Sequence, residues 1–405
     1  MRHLRIVFTC ITFVAFAFLV ACGGGSTPSA NKSTTPTQVI AAPGPNVASL
    51  SVDGGPTGEY ADASFTSVTV CVPGTTTCQT IDGVLVDTGS SGLRILSSAL
   101  TTIVLPSQMS GSNPVVECFP FVSGYTWGPV QTADVEVASE KASSVPVQVL
   151  SDTDFTAPPA CTASGASSDS LQSLGANGIV GVGLFTQDCG SYCETVQTAA
   201  GDLNLYYECS SPTTCSPIGE SLAQQVPNPV SLFTTDNNGV IIELPAVPAG
   251  GSLTVSGSLV FGIGTESNNA LDTATTYTVD VNGNFTTTGY TGAPTPPASF
   301  IDSGSNGYFF PSTTITQCTS SAAGFYCPST TENLSATNQG VNGASGTVNF
   351  SIANALTLFA NGDSAYSDLG GTFSGAFDWG LPFFFGRNVY TGMQSATNVN
   401  GYFAY

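Results

Sequence analysis

Two segments hold the side chains best placed to do chemistry in this chain. Val84-Leu85-Val86-Asp87-Thr88-Gly89-Ser90 and Phe300-Ile301-Asp302-Ser303-Gly304-Ser305 each carry one aspartate out of a short apolar run into a turn of hydroxyl, glycine and hydroxyl. No other Asp in the sequence is followed by Ser or Thr, then Gly, then Ser. A carboxylate that leaves a buried strand into a glycine turn is held rigidly. Two of them facing across a cleft can divide acid and base work at one reacting atom. The only histidine is His3, in an N-terminal segment expected to be removed. A chain without histidine has no Ser-His-Asp or Cys-His nucleophile and no His-ligated zinc. No Gly-rich phosphate loop ending in Lys-Ser/Thr is present, and no Gly-x-Gly-x-x-Gly opens a βαβ unit. Carboxylates are therefore the best catalytic groups, with no cofactor or metal expected.

The elements that must position these turns are short strands. The sequence has 45 Gly and 25 Pro, and only 8% of its residues are charged, which disfavours long amphipathic helices. β-favouring runs recur between turn signals at Phe65 to Val72, Gly83 to Val86, Val135 to Val137 and Val240 to Leu244. Asn237-Asn238-Gly239 and Asn282-Gly283-Asn284 read as hairpin turns, and Gly219 to Gln225 is one of few helix candidates. The motifs also repeat in order. Asp87 is followed 94 residues later by Gly181 in Gly178-Ile179-Val180-Gly181-Val182-Gly183, and Asp302 is followed 78 residues later by Gly380 in Phe377-Asp378-Trp379-Gly380. The reading is an all-β body of two lobes, 47–235 and 236–405, with the aspartates at a central cleft.

Residues 1–22 read as an export signal, with Arg2 and Arg5 ahead of the apolar run Ile6 to Val20. The run ends in Leu19-Val20-Ala21-Cys22, which resembles the lipobox of bacterial lipoproteins and implies cleavage before Cys22 and lipidation of it. An ordinary signal peptide or a membrane anchor is the alternative, but the run is shorter than the ~20 residues of a spanning helix. Gly23 after the cysteine implies an outer-membrane or cell-surface location, and 23–46, rich in Ser, Thr, Pro and Ala, reads as a flexible tether. Beyond Cys22 ten cysteines remain, an even number consistent with up to five disulfides in an exported protein. Spacing favours Cys71 with Cys78 and Cys318 with Cys327, while Cys189, Cys193, Cys209 and Cys215 cannot be paired from sequence.

Without the signal, four basic residues face 27 acidic ones. Such a charge argues against nucleic acid or anionic lipid as partners. It predicts that repulsion raises carboxyl pKa values and stabilises the fold as pH falls.

On these residues the chain resembles the two-lobed, pepsin-like aspartic peptidases. Val86-Asp87-Thr88-Gly89-Ser90-Ser91 and Ile301-Asp302-Ser303-Gly304-Ser305 are similar to that family's two active-site turns. Gly178 to Gly183 resembles the strand beneath the first turn, Gly257 to Gly262 a strand-turn before the second Asp, and Trp379 to Tyr390 the closing segment of the second lobe. In length, lipobox and motifs the chain also resembles a functionally uncharacterised family of bacterial exported proteins. The peptidase resemblance implies that Asp87 and Asp302 share one proton and activate a water. It implies that Thr88 and Ser303 bridge the turns through their hydroxyls, with Gly89 and Gly304 at the bends, and that Ser90 and Ser305 bond the outer carboxylate oxygens.

Two positions depart from the family pattern. The flap tyrosine is replaced by Phe121 in Phe121-Val122-Ser123-Gly124-Tyr125, where Tyr125 substitutes only if the hairpin shifts register. The tryptophan soon after the first Asp turn is Arg94, which would lower a carboxyl pKa, bind a substrate carboxylate or form a structural ion pair. Asp378, Tyr308 and Trp127 read as packing or turn residues. The expectation is a monomeric, lipid-anchored endopeptidase acting on peptides or proteins. The alternatives are a pepsin-fold surface lipoprotein that binds a protein or polysaccharide without cleaving it, and a β-rich adhesin in which Asp87 and Asp302 lie far apart.

Overall fold

The computed structural model describes Gln38 and residues 40–150, 154–199 and 201–405. The expected signal segment with Cys22, and the expected tether up to residue 37, lie outside the described residues. Where the sequence alternates apolar and polar residues it forms half-buried strands. In Phe65–Cys71, Val68 and Val70 point inward and Ser67 outward. In Ser345–Ile352, Val348, Phe350 and Ile352 are buried between exposed Thr347 and Asn349.

The two Asp turns belong to two copies of one strand arrangement. Cys78–Asp87 runs parallel to Gly178–Val182, with Asp87 opposite Gly181, and Gly178–Val182 lies antiparallel to Ser91–Leu96. All five residues of Gly178–Val182 are buried, as befits a strand flanked on both sides and covered on both faces. In the second copy, Ser299–Ile301 runs parallel to Phe377–Trp379, which lies antiparallel to Tyr308–Phe309. In each copy the chain leaves one flanking strand, makes the Asp turn above the central strand and returns on the other side. The central strand must be glycine where the turn crosses it. A Cβ on Gly181 would stand 2.7 Å from the carbonyl carbon of Ser91, and one on Gly380 2.2 Å from the carbonyl oxygen of Gly307.

An antiparallel sheet joins the lobes. Gly239–Leu244 pairs with Val255–Phe261 and with Arg387–Gly392, and the latter pairs with Tyr402–Ala404. The first strand of the body, Val47–Val52, adds to Val255–Phe261 along its whole length, so the N-terminal end of one lobe is built into the sheet of the other. The loop before Phe65 makes a second crossing: Asp62 donates its N–H to the Ser364 carbonyl at 2.8 Å and accepts the Tyr366 N–H at 2.6 Å. This is an all-β architecture of two lobes, with the two Asp turns meeting between them.

Several local expectations change. Gly219 to Gln225 is a series of turns, not a helix: the N–H groups of Gln224 and Gln225 both bond Ser221, and Glu220 bonds the Cys193 carbonyl. The nine residues between Pro217 and Pro227 are too few to sustain a helix without tertiary support. Asn237-Asn238-Gly239 is not a hairpin but the bent entry to Gly239–Leu244, with the Asn238 side chain bonding both Ile263 N–H and carbonyl. Asn282-Gly283-Asn284 is a turn, but it links Thr276–Thr278 to Thr286–Thr288, which pair with different partners. The end of the expected tether is bonded to the second lobe: Gln38 to Arg387 and Asn388, Ala41 to Glu243 and Ser258, and Asn46 to Phe261.

The ten cysteines form five disulfides. Cys71–Cys78 and Cys318–Cys327 are as the spacing indicated, and Cys118–Cys161, Cys189–Cys193 and Cys209–Cys215 complete the set. Asp62, Glu243 and Asp368 have raised pKa values, and Glu220 is pushed up to about 7. Burial is the leading cause in each, rather than the like-charge repulsion expected from composition.

Candidate active site

Each turn binds its own aspartate in the same way. The Gly89 N–H donates to Asp87 Oδ1 at 2.8 Å and the Ser90 hydroxyl donates to Oδ2. The Gly304 N–H donates to Asp302 Oδ1 and the Ser305 hydroxyl to Oδ2, both at 2.8 Å. The turns then hold each other. The Thr88 N–H donates to the Ser303 hydroxyl at 3.1 Å, and the Ser303 N–H donates to the Thr88 hydroxyl at 2.9 Å. Each hydroxyl passes its own proton across the interface, Thr88 to the Ile301 carbonyl and Ser303 to the Val86 carbonyl. Both residues are buried, so this reciprocal set has no competition from water.

The grip brings the carboxyl groups together. A Cβ on Gly89 would lie 2.6 Å from Asp302 Cγ, and one on Gly304 2.7 Å from Asp87 Oδ1, so each glycine is the floor under the opposite aspartate. That same Gly304 Cβ would lie 3.2 Å from Asp302 Oδ1, so the two carboxyls stand side by side, and Asp302 is held well above the usual carboxyl range, by burial first, then by the charges of Asp87 and Asp378. Two carboxyls so placed cannot both ionise at ordinary cost, so the pair retains a proton where a lone carboxyl would have lost it.

Arg94 is engaged elsewhere. Its fully buried guanidinium donates to Glu117 at 2.9 Å, to Asp188 at 3.1 Å and to the Ser91 carbonyl at 2.8 Å, and stacks on the Phe119 ring at 3.8 Å. Of the three roles open to it in the sequence, the structure places it in an ion pair. One cation cannot balance two buried carboxylates, and Asp188 is accordingly held well above the usual range by burial and by Glu117. The network ties the base of the hairpin Asn113–Phe121/Gly124–Val137 to the strand that follows the first Asp turn.

The hairpin keeps Phe121 opposite Gly124 and Pro120 opposite Tyr125, with no shift of register. Phe121 packs on the cluster of Leu85 and Ile179, next to the first turn, whereas Tyr125 is buried with Cys118, Trp127 and Tyr207. Tyr125 therefore does not stand in for a flap tyrosine.

Near the pair stand Tyr60, which the sequence reading did not name, and Asp378, which it read as a packing or turn residue. Tyr60, on the loop that crosses between the lobes, shares the cluster of Leu85 and Phe121, and its phenol is pushed up to about 12 by burial and then by Asp302 and Asp87. Asp378 is buried beside Asp302 rather than serving only a packing role. Trp127 and Tyr308 do pack, in the Cys118–Cys161 cluster and in the aromatic core of the second lobe. A Glu-Tyr dipeptide in a loop carries no signal for Tyr60. For Asp378 the signal was present, as an acid within the apolar run Phe377 to Phe385.

No curated protein matches this sequence. Among solved structures, the aspartic proteinase from Irpex lacteus is similar with a TM-score of 0.49 and 16% identity, over 88% of this chain and 96% of that one. The family described as Protein of unknown function (DUF3443) matches residues 42–405, nearly the whole chain, and the protein belongs to that family.

Proposed function

We propose that this protein is an aspartic endopeptidase that hydrolyses peptide bonds in peptides or unfolded proteins, exported and tethered to a membrane by lipid on Cys22. The observation that carries the reading is the reciprocal Thr88–Ser303 grip, which holds two identically bonded carboxyls side by side. One carboxylate takes the proton of an attacking water. The other, protonated, donates a hydrogen bond to the scissile carbonyl, and the proton gained passes to the leaving amine. A structural ion pair needs a cation and a packing site needs none of these donors, so the arrangement suits proton transfer best. The five disulfides support an oxidising compartment. A pepsin-fold binder that does not cleave is the second reading, favoured by Phe121 at the flap position.

The test is cleavage of a quenched peptide library from about pH 3 to 8, beside Asp302→Asn. Activity lost in the variant supports the peptidase. A folded wild-type chain that cleaves nothing moves the binder into first place.

A further inference from the structure

Asp378 occupies the place in the second strand arrangement that Ile179 occupies in the first, two residues before the glycine under the turn. Its neighbours in register are Phe300 and Phe309, so neither flanking strand offers it a cation. It is 6% exposed, and its Oδ1 is buried without a hydrogen-bond partner. Its carboxyl contacts the hydroxyl of Ser305, the same hydroxyl that donates to Asp302 Oδ2 at 2.8 Å. A serine has one proton to give, so two carboxylates cannot both be served by it.

Asp302 thus has two carboxyl neighbours, Asp87 across the paired turns and Asp378 by way of the Ser305 hydroxyl. Asp87 has no counterpart, because Ile179 stands where Asp378 would be. In a buried row of three acids the middle one meets two negative neighbours and is the last to lose its proton. Resting on the peptidase reading for its catalytic meaning, we infer that Asp378 is a positioning residue that keeps the shared proton on Asp302. Asp302 is then the acid of the pair and Asp87 the base, and the protonated pair persists toward neutral pH. The ionisable groups facing this row are Asp87, Asp302, Asp378 and the Tyr60 phenol, whose raised pKa keeps it neutral throughout.

The experiment compares the protein with Asp378→Asn, which keeps the shape, and Asp378→Ile, which copies the first lobe. In both, the alkaline limb of kcat/KM moves to lower pH. One pH unit above the new midpoint activity is about tenfold below its plateau, while acid-side activity changes by less than about threefold. A uniform loss at all pH values, with the limb unmoved, overturns the inference. Carboxyl-carbon NMR supplies a readout that needs no cleavage. The Asp302 signal, assigned by its absence in Asp302→Asn, titrates at lower pH in the Asp378 variants. In the unsubstituted protein it titrates after Asp378. If the signal shifts and nothing is cleaved, the proton arrangement stands and the peptidase reading falls. If Asp302 titrates before Asp378, or does not move in the variants, the inference falls whatever the activity.

Discussion

Beneath Asp87 the supporting strands carry Leu85 and Ile179, whereas at the matching positions beneath Asp302 they carry Phe300 and Asp378. The turns above are bonded alike, donor for donor, yet the lobes that hold them differ in chemistry. The first lobe holds four of the five disulfides and a buried cluster of Arg94, Glu117, Asp188 and Tyr206. The second has one disulfide and a run of stacked rings, with Phe310 on Phe377 at 4.8 Å and Phe377 on Trp379 at 4.0 Å. A duplicated site thus keeps what the two turns must share, the backbone path and the hydroxyl grip. Each half is free to find its own way of filling the space beneath. Ions demand matched partners and respond to pH; rings demand only shape.

The largest effect should come where the halves are alike. Asp87→Asn and Asp302→Asn each remove one member of the pair, and each should lower kcat/KM by roughly 10²–10⁴-fold. A variant of either that retains most of the activity would show that the turns do not act as a pair.

Next come the unlike interiors. Arg94→Ala leaves Glu117 and Asp188 buried without a cation, at a cost of roughly 3–5 kcal/mol. Trp379→Ala opens a cavity of similar cost, roughly 3–5 kcal/mol. Denaturant unfolding at about pH 4 and about pH 7 separates the two. Burial without a cation disfavours a charged carboxylate, so the loss is smaller in acid and grows as pH rises. The Trp379 loss is the same at both. Equal pH dependence would contradict the division between an ionic and an aromatic interior.

The grip should be symmetric. Ser303→Ala strips the Thr88 N–H and the Val86 carbonyl of their partner, and Thr88→Ala does the same to the Ser303 N–H and the Ile301 carbonyl. Each should cost about 1–3 kcal/mol, measured by thermal or urea unfolding, and the two values should agree closely.

The smallest effect belongs to Glu220, which accepts from Gln108 at 3.1 Å and has its pKa pushed up to about 7 by burial. A folded pKa above the unfolded one means that its contribution is full below the unfolded value and is lost as pH rises through about 7. Glu220→Gln should flatten the decline of Tm between about pH 5 and pH 8.

Much of this is local and so could be read along the chain. A glycine turn after an apolar run fixes the exit of an aspartate, and Gly181 and Gly380 follow in the order a repeated fold requires. Cys71–Cys78 and Cys318–Cys327 are seven and nine residues apart, within reach of one hairpin or loop. Cys118–Cys161 joins residues 43 apart, which only the folded chain brings together. The residues from Gly219 to Gln225 have helix-compatible composition, but tertiary bonds to Cys193 decide their path.

By itself, then, the sequence determined that two aspartates sit in matching turns, because each leaves an apolar run into hydroxyl, glycine and hydroxyl residues. It also determined the β character and the matching order of Asp turn and glycine-bearing strand in each half, which follow from side-chain alternation and glycine placement. Only the tertiary structure decided that Arg94 is spent on Glu117 and Asp188, that Tyr125 faces away from Phe121, and that Tyr60 and Asp378 sit by the pair. Those outcomes depend on which residues the fold brings together, from Arg94 and Glu117, 23 positions apart, to Tyr60 and the second Asp turn, more than 200 apart. Burial and the nearest charge, the two terms that set a carboxyl's proton affinity, are properties of that meeting.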